Sequence, residues 1–91
     1  MTQPVKNKYA WLECKVRPGM FPSERNITVH DTNDVLIGSA WVDATLIKDN
    51  VYVKVIVMTE EAARVLVYVS GGFAVTPSIW VPRKKVHFIK S

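Results

Sequence analysis

The 91-residue chain has one cysteine, Cys14. A single thiol excludes an internal disulfide framework and any zinc site built from several cysteines. No apolar run approaches the roughly 20 residues that a membrane helix needs, so no membrane partner is expected. The opening stretch, MTQPVKNKYAW, lacks the apolar segment of a secretory signal. The expected location is therefore the cytoplasm, and Asn26-Ile27-Thr28 is a chance match to a glycosylation triplet. No sustained helical period, internal repeat or low-complexity tract occurs. His30 and His87 are too far apart in sequence to suggest a metal site, and Asp31 and Asp34 lack the dense oxygen donors of a calcium loop. No metal and no cofactor are expected.

What is abundant is valine, whose β-branched side chain favours strands. The length allows one domain with one small core. Residues 1–8 read as a flexible lead-in and residues 9–91 as a single β-domain. Residues 9–17 alternate, with Ala10, Leu12, Cys14 and Val16 inward and Tyr9, Trp11, Glu13, Lys15 and Arg17 outward. Residues 25–30 and 35–42 flank the polar turn DTND and predict a hairpin. Gly38 suits a bend or bulge in its second strand. Residues 51–58 form the strongest strand, with Val51, Val53, Val55 and Val57 on one face. Residues 64–70 make a fifth strand, ended by Gly71-Gly72. Residues 79–82 make a short sixth strand, RKKV a single helical turn and HFIK an edge strand. Five to six short strands with regular turns predict an all-β fold, a small sandwich or barrel.

The stretch SIWVPRKKV, residues 78–86, resembles the end of SH3-like barrels, where a short strand meets a proline-started helical turn and then a last strand. The resemblance runs by pattern over residues 9–89 and implies a small SH3-like barrel with one short helical turn near the C-terminus. It does not extend to proline-rich peptide ligands. An Ala-Leu-Tyr-Asp-Tyr-like stretch and a tandem tryptophan, which line that groove, are missing here. The stretch PGMFPSE is also similar to short uncharacterised bacterial proteins. Small barrels host many unrelated activities, so function has to be read from surfaces.

No nucleophile accompanies His30-Asp31, and Cys14 falls on the inward face, so no enzyme activity is expected. Two binding surfaces compete. Tyr52, Ile56, Met58, Leu66 and Tyr68 fall on the outer faces of adjacent strands and would form an apolar patch. Monomers rarely expose such a patch, which points to a protein partner or to self-association. The alternative is nucleic acid. The net charge is +4 and the sequence pI about 9.4. It divides into +3 over residues 1–30, −4 over 31–61 and +5 over 62–91. Lys15 and Arg17 beside Trp11, and Arg83, Lys84 and Lys85 beside Trp80, would grip phosphate and stack bases. The expected role is a non-catalytic binding or assembly module, homo-oligomeric in one form, with nucleic-acid binding as the alternative. Met20-Phe21, between Pro18 and Pro22, is expected to fold back as a plug over a barrel end or over the apolar patch. Burying both side chains would contribute about 3 to 5 kcal/mol before entropy costs.

Overall fold

A computed structural model describes residues 8–90. The expected lead-in lies outside the described residues except for Lys8, which opens the first strand. The fold is all-β, in two antiparallel sheets. The strands are β1 (Lys8–Glu13), β2 (Lys15–Pro18), β3 (Glu24–His30), β4 (Leu36–Asp43), β5 (Ile47–Lys48), β6 (Tyr52–Glu60), β7 (Arg64–Tyr68), β8 (Ser78–Pro82) and β9 (Val86–Phe88). The larger sheet has the order β8-β7-β6-β1-β9, with β5 paired to β6, and the smaller has the order β2-β3-β4.

The first expected strand is two strands. The chain leaves the larger ladder at Cys14, whose N–H donates to the Val51 carbonyl at 2.9 Å. It then enters the smaller sheet as β2, opposite β3. The alternation survives the bend: Ala10 and Leu12 are fully buried and Cys14 and Val16 pack against the core. One bent segment thus supplies the inner faces of both sheets.

The DTND hairpin forms as expected between β3 and β4. The Asp31 carboxylate accepts from the N–H groups of Asn33 and Val35, and Asp34 takes a positive φ of 62°. Val29 pairs with Gly38 but His30 pairs with Leu36, so Ile37 is a bulge residue. A Cβ on Gly38 would lie 2.7 Å from Ile79 Cδ1. Glycine is therefore what lets β4 approach β8. A second bulge falls at Met58, between the pairs Val57–Val67 and Thr59–Leu66.

The core is built from the alternating positions. Leu12, Ile27, Val29, Val53, Val55, Val65, Val67, Val69 and Val81 are almost completely buried. Val51 is an exception to the expected inward row and is exposed, because it sits in the turn before β6. Two single 3₁₀ turns interrupt the strands. Residues Ala44–Leu46 are capped by Asp43, whose carboxylate accepts from Thr45 N–H at 2.9 Å. Arg83–Lys85 follow Pro82. Among the described residues no ladder joins β4 to β8, so the expected barrel stays open. The nine strands exceed the expected five or six because the bend at Cys14 divides one strand, Ile47–Lys48 pair briefly with β6, and the expected edge strand forms as β9.

The Met20-Phe21 plug is not formed. Met20 is 83% exposed and Phe21 63%. The turn is closed instead by its own backbone, with Gly19 N–H on the Glu24 carbonyl and Glu24 N–H on the Phe21 carbonyl, both at 3.0 Å. That closure points both side chains away from the core.

Candidate functional site

The outer face of the larger sheet is where alternation and register bring aromatic residues together. Inward valines leave the intervening positions of β6, β7, β1 and β8 facing out. The register then fixes their neighbours. Tyr9 lies opposite Ile56, and Ile56 opposite Tyr68. Trp11 lies between Lys54 and His87. Leu66 lies opposite Trp80, and Tyr52 lies between Glu13 and Lys48. Tyr9 is exposed, while Trp11, Tyr52, Ile56, Leu66, Tyr68 and Trp80 are half-buried, each with one side on its neighbours.

Cations sit on this face against the rings. Arg64 Cζ lies 4.0 Å from the Trp80 ring centroid, Lys54 Nζ 4.8 Å from that of Tyr9, and Lys48 Nζ 5.3 Å from that of Trp11. Such contacts are worth about 0.5–1 kcal/mol at exposed sites. Arg64 is also paired with Glu61. Lys48 and Lys54 have no carboxylate partner among the described residues. At one margin Tyr52 meets His87 edge to face, with ring centroids 5.4 Å apart, and His87 Nε2 lies 3.8 Å from Glu13. The face is thus an apolar ring surface studded with positive charge.

Four of the five residues expected in an apolar patch are joined on this face: Tyr52, Ile56, Leu66 and Tyr68. Met58 is exposed at the bulge, which takes it out of the regular outward row. The residues expected at nucleic acid are divided. Trp11 and Trp80 are on the face. Lys15 and Arg17 are not, because the bend at Cys14 carries them to the outer face of the smaller sheet, where Lys15 meets Asp34 at 3.5 Å. Arg83 is held at the rim, donating to Glu60 Oε1 and to the Glu61 carbonyl, both at 3.0 Å, with its guanidinium 5.4 Å from the Phe88 ring centroid. Lys84 and Lys85 stand on the second 3₁₀ turn. Lys48, Lys54 and Arg64 complete the surface beside Tyr9, and these three cations were missed as site residues. The signal for them was the register between strands distant in sequence, which no single strand reveals.

The groups suited to chemistry are otherwise engaged. Burial pushes the Cys14 thiol up to about 12, so it is protonated at neutral pH. Asp31 is spent on its turn. Among the described residues no three His, Cys, Asp or Glu side chains are grouped to hold a metal ion, and no helix is long and apolar enough to cross a membrane. No protein-family model, curated protein or solved structure matches the chain.

Proposed function

We propose that this protein is a non-catalytic binding module that holds single-stranded nucleic acid on the outer face of its larger sheet. The observation that carries the reading is the interleaving of rings and cations on that face. Aromatic faces stack bases of any sequence, and neighbouring cations take the phosphates. Each lysine rests on its ring through a flexible stem. An arriving base displaces the ammonium from the ring, and the ammonium moves to the backbone phosphate.

Charge favours a polyanion over self-association on this face. A two-fold contact would gather Lys48 and Lys54 of both copies on one interface with no carboxylate partner of their own, and like charges oppose such pairing. A polyanion has no such conflict. An SH3-like fold fits this reading: β8 runs through Pro82 into a single 3₁₀ turn, and β9 returns to pair with β1. The cytoplasm fits it too, since a lone, half-buried free thiol suits a reducing compartment.

The test is an anisotropy titration of a labelled single-stranded oligonucleotide pool across a salt series. Three cations engaging phosphates predict a slope of log affinity on log salt of about −2. Lys54→Glu should weaken binding at least tenfold. Retention unchanged by that substitution, or no binding at low salt, overturns the reading.

A further inference from the structure

The aromatic face carries one charge of the wrong sign for a polyanion. Glu13 closes β1 two residues beyond Trp11 on the same side, and the register sets it directly opposite Tyr52. Among the described residues it is the only carboxylate at an outward position on the strands of the larger sheet. Glu60 pairs with buried Val65 and takes the inner parity, and Glu61 lies in the turn after β6, against Arg64. Such a group repels phosphate and adds nothing to stacking. A carboxylate only accepts hydrogen bonds, so on this face it calls for donors on the bases themselves.

Its surroundings leave it open for them. Neither Lys48 nor Lys54 pairs with Glu13, although both stand on this face. Its contact is His87 Nε2 at 3.8 Å, beyond hydrogen-bond reach. No hydrogen bond occupies either carboxylate oxygen among the described residues. His87 rests edge to face on Tyr52 and pairs with Trp11 across the ladder, so three rings form a corner around Glu13. On the Cys14 side Glu13 borders a polar recess of about 290 Å³. Within that recess Lys15 is taken by Asp34, while Lys85 has no carboxylate partner among the described residues. A base at this corner meets acceptor oxygens along one edge, and Lys85 stands nearby for its phosphate.

We infer, on the nucleic-acid reading of this face, that Glu13 selects the base seated at the corner and that the base it selects is guanine. Bases of a single strand expose their Watson–Crick edges. Guanine presents N1–H and the N2 amino group side by side, two donors for the two oxygens of one carboxylate. Adenine and cytosine each present one amino group beside a ring-nitrogen acceptor, which repels the second oxygen. Thymine sets its N3–H between two carbonyls and fits worst. The order is therefore guanine, then adenine and cytosine, then thymine. Stacking on the other rings is indifferent to sequence, so the selection acts on one nucleotide of the bound strand.

Anisotropy titrations with labelled oligothymidylate of about eight nucleotides, and with the same strand carrying one guanine, adenine or cytosine, test this. Oligouridylate supplies an RNA arm. The wild type should bind the guanine strand about tenfold more tightly than oligothymidylate, as one bidentate contact predicts. Glu13→Gln changes a half-exposed strand end and should keep the wild-type circular dichroism. It should lose the guanine preference and bind oligothymidylate more tightly, because a charge opposing phosphate is gone. Equal binding of the four DNA strands by the wild type, or a guanine preference that survives Glu13→Gln, overturns the inference while the face keeps its binding role. A preference for oligouridylate that Glu13→Gln removes, with no difference among bases, assigns Glu13 to the ribose hydroxyl and overturns it as well. No binding of any strand at low salt overturns both this selection and the reading of the face.

Discussion

At the scale of residues, Cys14 and Gly19 carry the sharpest expectations. The thiol is raised by desolvation, so the native state favours the protonated form. Its contribution to stability is complete below the ordinary thiol value of 9.0 and is lost as pH rises from there to about 12. Denaturant midpoints for wild type and Cys14→Ala should therefore converge across that alkaline range, and a constant difference would contradict the burial. A Cβ on Gly19 would sit 2.7 Å from the Glu24 carbonyl oxygen, so Gly19→Ala should open the turn and destabilise the fold. Thermal denaturation checks it. Much of this was legible in the sequence. The inward place of Cys14 follows from alternation, and the turn-forming roles of Asp31 and Gly19 follow from residue type. The outward direction of Met20 and Phe21 was not legible, because it depends on how Glu24 bonds back to Gly19 and Phe21 across the turn and on Ala44, which reaches Ser23 from a later segment.

At the scale of elements, the parity of each strand separates stability from binding. Leu12 and Trp11 are neighbours on β1 with opposite faces. Leu12→Ala should cost about 2–5 kcal/mol of stability by opening a core cavity. Trp11→Ala, at a half-buried position, should cost less stability than Leu12→Ala and weaken oligonucleotide binding by about 1–3 kcal/mol. Chemical denaturation and anisotropy on both variants check the pair, and a reversed pattern would mean that the faces are misassigned. The valine-rich β6 and β7 were readable because both alternate over a full strand length. The division of β1 from β2 was not, since inward residues continue without interruption through Cys14. The bulge at Met58 was equally silent: a bulge is a property of two paired strands, and its one extra residue looks like continued alternation.

For the molecule as a whole, the basic ends and acidic middle of the sequence do not form two opposed regions. Glu60, from the acidic middle, accepts from Lys8 at 2.9 Å and from Arg83 at 3.0 Å, and so ties both basic segments to β6. The Lys8 hydrogen bond foremost, with Arg83 adding to it, holds the Glu60 carboxyl below its ordinary value of 4.5. The stabilisation is present above that value and lost as pH falls below it. Glu60→Gln should therefore reduce stability at neutral pH and make little difference in strong acid, as read by denaturation at both pH values. Long-range folding also explains why a basic aromatic surface could be anticipated from composition while, of the seven residues assigned to it, only Trp11 and Trp80 lie on the face, with Arg83 at its rim. The most direct test of the aromatic face uses the three tryptophan indole N–H signals in a ¹H–¹⁵N spectrum. Trp11 and Trp80 belong to the proposed surface, and exposed Trp41 on the other sheet serves as an internal control. Titration with a single-stranded oligonucleotide should move the Trp11 and Trp80 signals and leave Trp41 in place. Movement confined to Trp41, or three unmoved signals at low salt, would contradict the account.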